Sequence, residues 1–267
     1  RTGRDGVHSR LGRLGEPAST AKLFTAAVSL AQLGAGYRFP TRLLSRGTIH
    51  NGRLDGHLIL YGMGDPTLGT ADSSDWAEQL ASQLHARGIR QVHGGLIADD
   101  SYFTGPSFGT GWEAGDLQSW FAVPSSALSV DENIVDVTLT PGTSVGLPAS
   151  LRLAPVDGFA KVLGQIETTR SQAASNINLY RAPGSDTLYL FGSMPARSPP
   201  AHFRLAMADP ALQAADQLRA ALTRQGIRVS GGTRVVHWPL DDSALLTDTH
   251  TLGELLSPPL GEILRRG

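Results

Sequence analysis

Hydrophobic and polar positions are distributed unevenly along the chain, and the unevenness divides it. Residues 1–16 are polar, Gly-rich and without a clear period. From Ser19 to Leu33 the chain is apolar almost all round, with Ala, Leu, Phe and Val at most positions. A stretch without a polar face predicts a buried helix. Pro17 suits its start, and Gly34 and Gly36 suit its end. Short strand-like runs follow. Thr48–Ile49 and His57–Tyr61 bracket an Asn51-Gly52 turn and predict a hairpin. Asp72 or Ser74 suits the cap of a helix reaching about His85, with Gly88 as its stop and strands at Ile89–Val92 and Leu96–Ala98. Residues 103–125 read as a loop rich in Gly, Pro and aromatics.

Beyond residue 126 the pattern becomes period-two alternation broken by turns. Strands are expected at Val135–Leu139, Leu151–Leu153, Lys161–Ile166, Ile177–Tyr180 and Leu188–Phe191. Asp209 then caps a helix over Pro210–Thr223, ended by Gly226. A short echo links two places. Leu84-x-x-x-Gly88-Ile89-Arg90, Val92 and Gly94-Gly95 parallel Leu222-x-x-x-Gly226-Ile227-Arg228, Val229 and Gly231-Gly232. Both read helix, Gly stop, strand, Gly-Gly turn. The coarse fold reading is α/β (α+β) with a β-rich insertion. The first apolar helix is expected to belong with Leu252–Leu264.

Composition narrows the class. With 267 residues, 40% apolar and 18% charged, the chain is globular and can bury a substantial core. A formal net charge of -1 offers no field for nucleic acid. The absence of cysteine excludes disulfides, thiolate metal sites and a cysteine nucleophile. Eight scattered histidines form no H-E-x-x-H pair, so no metal site is expected. No apolar run is long enough to span a bilayer. Arg1 is not a natural start, so a mature form, a fragment or the ordered part of a longer chain is expected.

The sharpest chemical feature is Ser19-Thr20-Ala21-Lys22. On a helix, positions i and i+3 share a face, so hydroxyl and amine meet. Serine is a weak nucleophile until a base takes its proton. A lysine on a buried helix can serve as that base, whereas an arginine cannot. The helix N-terminus favours developing negative charge. The chain has only two lysines, Lys22 and Lys161, so Lys22 is no casual surface cation. Two other motifs are weaker. Gly105-Pro106-Ser107-Phe108-Gly109 matches G-x-S-x-G but has no helix after it and reads as a loop. Gly62-x-Gly64 lacks the third glycine of a dinucleotide loop.

Pro17-Ala18-Ser19-Thr20-Ala21-Lys22-Leu23 resembles the active-site helix start of penicillin-binding proteins and serine β-lactamases. Gly62-Met63-Gly64-Asp65-Pro66-Thr67-Leu68 resembles a signature of the class C low-molecular-mass penicillin-binding proteins, the D-alanyl-D-alanine carboxypeptidase/endopeptidase family. Trp112-x-x-x-Asp116, Ala122-x-Pro124, Ser126-Ala127-Leu128-Ser129 with Asn133, and Gly226-Ile227-x-Val229-x-Gly231 are similar to that family too. The resemblance implies a β-lactamase/transpeptidase-like domain, here incomplete, with a large β-rich two-part insertion after the active-site helix. It implies residues 1–45 and 245–267 in the penicillin-binding domain, 46–130 and 205–244 in an inserted α/β domain, and 131–204 in a nested β-rich subdomain.

The same resemblance implies catalysis by Ser19 and Lys22, with no cofactor. It implies peptidoglycan stem peptides as substrates, β-lactam antibiotics as inhibitors, and a periplasmic or extracytoplasmic location. Asp116 and Phe121 match positions lining a subsite for the side chain of diaminopimelate, where a carboxylate would bind an ammonium. From the residues alone, Asp116 reads equally as a loop cap and Phe121 as core. A homo-oligomer is compatible with this reading. The family's second and third motifs, Ser-x-Asn and Lys-Thr-Gly, do not occur; Arg1-Thr2-Gly3 is the nearest match to the third and has no flanking strand. Two further readings stay open: a non-catalytic peptidoglycan-binding protein of the same fold, and a serine β-lactamase.

Overall fold

The structure, a computed structural model, describes residues 18–240 and 243–266. The chain divides into two compact units, residues 1–37 with 259–267, and residues 38–258. In the smaller unit a 3-10 turn, Ala18–Thr20, runs into helix α1 (Ala21–Leu33). Gly34, at φ 83°, ends α1 and its N–H donates to the Leu30 carbonyl. The helix forms where the apolar run lies, but it is not buried: Leu23, Phe24 and Val28 are all exposed. An apolar surface is covered only where other elements meet it, and none of the described residues buries this one. A second helix of this unit, α5 (Leu260–Arg266), is tied to the residues just after α1. There the Leu260 N–H donates to the Tyr37 carbonyl and Gly261 N–H to the Ala35 carbonyl, at 2.8 and 2.9 Å.

The larger unit contains, in chain order, β1 (Pro40–Ser45), β2 (Thr48–His50), β3 (Arg53–Asp55), β4 (Leu58–Gly62), α2 (Trp76–Ala86), β5 (Gln91–Val92) and β6 (Leu96–Asp99). Then come β7 (Ile134–Thr140), β8 (Ser150–Ala154), β9 (Lys161–Gly164), β10 (Glu167–Thr169), β11 (Asn176–Tyr180), β12 (Thr187–Pro195) and β13 (Ala201–Ala206). It closes with α3 (Pro210–Arg224), β14 (Arg228–Val229), β15 (Thr233–Val236), α4 (Ser243–Leu246) and β16 (His250–Leu256), before α5 (Leu260–Arg266). Of the C-terminal stretch expected to lie with the first helix, only its second half is helical; the first half is β16.

The main sheet has the order β15-β6-β4-β1-β16. Its inner strands are apolar on both faces because both are covered. Leu43, Leu58, Leu60, Leu96 and Ala98 face α2 and α3, where Trp76, Leu80, Leu84, Leu218 and Leu222 are buried. Leu44, Ile59, Ile97 and Val236 point the other way, against Leu245 and Leu246 of α4. Helix α3 starts as the sequence predicts, with the Asp209 carboxylate accepting from the Leu212 N–H and Pro210 in the first turn. Helix α2 starts later than expected, at Trp76, and its N-cap Asp75 makes no side-chain cap.

The Asn51-Gly52 turn does form a hairpin, with both residues at positive φ (50° and 76°), but it joins β2 to β3 rather than to His57–Tyr61. The chain instead crosses at Gly56 into the main sheet as β4. The echo between the two Gly-Gly sites is structural, and a third copy joins it. β3–β4, β5–β6 and β14–β15 are each a short strand, a glycine crossing and a longer strand. The short strands pair in parallel as β14-β5-β3 and the long ones as β15-β6-β4. At the crossings Gly94 N–H donates to the Gly56 carbonyl and Gly231 N–H to the Gly94 carbonyl, both at 3.0 Å.

The β-rich segment builds a three-stranded sheet, β13-β7-β8, and a four-stranded one in which β11, β10 and β9 all pair with β12. The sequence pattern had not separated β13. Its positions do alternate between partly buried and exposed as far as Leu205, over a run of six residues.

Candidate active site

Ser19 sits in the 3-10 turn and Lys22 in the first turn of α1. Thr20 between them already has helical angles (φ -67°, ψ -20°), so the helical path is continuous and the two side chains lie three positions apart on one face. Both are exposed, so the burial expected around Lys22 is not supplied by the described residues. Among the described residues no side-chain cap is made at the N-cap of α1. Its first N–H groups are the ones a developing oxyanion can use. Pro17 and Arg1-Thr2-Gly3 lie outside the described residues.

Asp116 and Phe121 lie in the larger unit, on the long loop between β6 and β7. A 3-10 turn, Asp116–Gln118, carries Asp116. One of its carboxylate oxygens accepts from the Glu113 N–H at 3.3 Å, so Asp116 does cap its own loop. Phe121 is not core: it is 52% exposed. It stands between Trp112 and Trp120, with ring centroids 6.2 and 6.0 Å away, and the Arg204 guanidinium lies 5.3 Å from the Trp120 ring. A carboxylate and exposed rings carried on one loop are chemistry suited to a cation on a partly apolar stem.

The loop is anchored by pairings that the sequence does not show, although Ser126 and Asp209 are legible there in other roles. Asp100, just before it, accepts from the Ser126 hydroxyl just after it at 2.6 Å. The other Asp100 oxygen lies 2.8 Å from His237 Nδ1, and His237 Nε2 lies 3.2 Å from Asp209. Those two carboxylates push the His237 pKa from 6.5 up to about 10, so the ring is a cation tied between them. A cavity of about 380 Å³ lies above, walled by Tyr102, Phe103 and Trp238. At the far end of the loop, buried Arg181 donates through Nη2 to the Leu117 carbonyl at 2.8 Å, and its backbone N–H donates to Gln118 Oε1 at 2.9 Å. A lone His or Arg in a sequence carries no signal for such pairings; their partners are distant in the chain.

The motif Gly62-x-Gly64-Asp65-Pro66-Thr67-Leu68 proves structural. Asp65, buried, accepts from the Thr67 N–H and hydroxyl at 2.8 and 2.7 Å and closes a turn. A Cβ on Gly62 would come within 2.4 Å of the Ala127 carbonyl, so this loop packs directly on the Ser126–Leu128 stretch. Asp131, Glu132 and Asn133 follow, all left-handed (φ 51°, 55° and 58°). Asn133 secures that strained turn, its Oδ1 accepting from the Val130 N–H and its amide donating to the Pro124 carbonyl. The G-x-S-x-G stretch is loop, with the Ser107 carbonyl accepting from Ser125 N–H. Among the described residues no group of His, Asp and Glu is placed to hold a metal, and no helix is long and apolar enough to cross a membrane.

Known proteins match almost the whole chain. It is 32% identical to a D-alanyl-D-alanine carboxypeptidase of Actinomadura sp. over 253 residues, covering 90% of this chain and 45% of that one. It is 28% identical to the D-alanyl-D-alanine carboxypeptidase DacB of Haemophilus influenzae over 256 residues, covering 93% and 50%. The fold is similar to the crystal structure of penicillin binding protein 4 (dacB) from Haemophilus influenzae, with a TM-score of 0.78 at 28% identity, over 94% of this chain and 53% of that one. A second structure of that protein, complexed with a β-lactam, matches with a TM-score of 0.70 at 25% identity, over 94% of this chain and 51% of that one. The chain thus spans about half the length of the curated relatives it matches. A sequence model of one family accounts for residues 9–266, and the mixed α+β fold agrees with it: the chain belongs to the D-Ala-D-Ala carboxypeptidase 3 (S13) family.

Proposed function

We propose that this chain is part of a serine D-Ala-D-Ala carboxypeptidase/endopeptidase acting on peptidoglycan stem peptides. The observation that carries the reading is the continuous helical path through Ala18–Leu33, which sets Ser19 and Lys22 on one face at the start of a helix. In the proposed reaction, Lys22 takes the proton of the Ser19 hydroxyl as Oγ bonds to the penultimate D-alanine carbonyl carbon. The Ser19 N–H donates to the oxyanion. The C–N bond to the terminal residue breaks, its amine leaves with a proton, and water then hydrolyses the acyl-enzyme. In the endopeptidase variant the leaving amine belongs to a neighbouring stem.

Asp116 and Phe121 are proposed to receive the ammonium-bearing side chain of the stem. β-Lactams are proposed to acylate Ser19, in keeping with the β-lactam complex described for the Haemophilus relative. Peptidoglycan places the site of action outside the cytoplasmic membrane. The plan of insertions, with 131–204 as a nested β-rich subdomain, is part of the same proposal.

The test is intact-mass spectrometry of the protein at its natural full length after incubation with benzylpenicillin, with Ser19→Ala beside it. A gain of one penicilloyl group, lost in the variant, is the expected result. No adduct on a folded protein would overturn the enzyme reading in favour of a non-catalytic peptidoglycan-binding protein.

A further inference from the structure

The loop that carries Asp116 and Phe121 is held at its far end by a side chain from the β-rich segment. Arg181 directly follows β11 and is only 5% exposed. Its Nη1 donates to the Ser185 carbonyl at 3.1 Å and its Nη2 to the Leu117 carbonyl at 2.8 Å. Its backbone N–H donates to Gln118 Oε1 at 2.9 Å. Two of these three bonds therefore end on the turn Asp116–Gln118. Arg181 Nε is buried without a partner. The guanidinium thus sits mainly against neutral carbonyls; Asp186 acts on it only through space, and burial pushes its pKa down.

Burying a cation in this way is an expensive means of filling space, since an apolar side chain would do so without losing hydration. What the guanidinium provides is direction. Its planar fork reaches two carbonyls at once, which a lysine ammonium on a flexible stem does not reproduce. The hydrogen bonds of Asp116 are local: its carboxylate accepts from the Glu113 N–H, its own N–H donates to the Glu113 carbonyl and its carbonyl accepts from the Ser119 N–H, so its placement follows from how Leu117 and Gln118 are held. The next residues are anchored to the same segment, by a bridge between Ser119 and Leu205 and by Arg204 over Trp120.

We propose that Arg181 is a positioning residue: it orients the Asp116 turn and so sets selectivity for a stem peptide whose side chain ends in a free ammonium. The proposal rests on the reading of Asp116 given above. It gives the β-rich segment a role in substrate choice although Arg181 touches no reacting atom.

The test uses the natural full-length protein and two D-Ala-D-Ala peptides that differ only in the side-chain amine, free in one and N-acetylated in the other. The readout is the ratio of their kcat/KM values, with benzylpenicillin acylation as a check on the fold. Arg181→Met is expected to lower the ratio roughly tenfold, chiefly through KM for the free amine, while penicillin acylation persists. Arg181→Lys should recover little of it. Gln118→Ala removes one of the two ties from the loop side without touching the buried site, and is expected to shift the ratio in the same direction. Should Arg181→Met fail to fold, Gln118→Ala decides. Equal losses on both peptides, with the ratio unchanged, would mean a merely structural arginine and overturn the proposal. Asp116→Asn separates the two ideas. If it collapses the ratio while the Arg181 and Gln118 variants do not, the subsite stands and the positioning role falls. If Asp116→Asn leaves the ratio unchanged, the subsite reading fails and the proposal with it.

Discussion

Ser19 and Lys22 are readable as a pair because a helix converts a spacing of three into proximity, whatever the rest of the fold does. That makes a sharp prediction. Lys22→Arg keeps the positive charge but replaces an amine that can deprotonate and act as a base with a guanidinium that cannot, so the rate of acylation by benzylpenicillin should fall about 10²–10⁴-fold, measured by stopped-flow or by mass against time. Retained acylation would mean that another group takes the Ser19 proton.

His237 makes a prediction about pH. Its pKa rises from 6.5 to about 10 on folding because Asp100 and Asp209 both hold the imidazolium. A raised value means the folded state binds the proton more tightly. The stabilisation is full below about pH 6.5 and is lost as pH rises through about 10. The ring is 43% exposed, so solvent weakens the effect. Thermal melts of the wild type should fall progressively across that window, and His237→Gln should lower the melting temperature near neutrality and flatten the alkaline slope. A parallel decline in both proteins would remove His237 as its source.

At the scale of elements, the three glycine crossings between the small and the main sheet depend on side-chain size. A Cβ on Gly231 would stand 2.7 Å from Gly95 N, closer than real Cβ atoms come, while one on Gly232 would meet nothing within 4 Å. Gly231→Ala should therefore cost about 1–3 kcal/mol in chemical denaturation, as overpacking does. Gly232→Ala, next in the chain, should be neutral or stabilise by about 0.4–1 kcal/mol through the unfolded state. Similar costs at both positions would show that the close approach does not govern the crossing. The Gly-Gly echo was visible in the sequence. Its reason was not, because the clash partner, Gly94-Gly95, is more than a hundred residues away.

At the scale of the molecule, the larger unit begins and ends at one place. β1 and β16 pair antiparallel with Pro40 opposite Leu256, and the Phe39 N–H donates to the Ser257 hydroxyl at 2.9 Å. Chain ends that meet are what a domain inserted into another requires. Residues 38–258 also hold both buried clusters around the main sheet. Expressed alone, this segment should fold with a single cooperative melt and should not react with benzylpenicillin, since it lacks Ser19. A non-cooperative melt would show that its core needs the remainder of the chain.

The sequence by itself determined whatever is local. That includes the helix at Ala21–Leu33, the Asp209 cap of α3, the Asn-Gly hairpin turn and the Ser19–Lys22 spacing, because each depends on neighbours within about a turn. It also carried the family, through short motifs that survive as strings. The tertiary structure decided what depends on distant partners. Among the described residues it left the apolar side chains of α1 exposed and put Phe121 on the surface. It sent His57–Tyr61 into the main sheet and tied His237 to Asp100 across 137 positions. It also turned Arg181 back onto Leu117. Burial, register and pKa belong to a residue's surroundings, and most of those surroundings are assembled only when the chain folds.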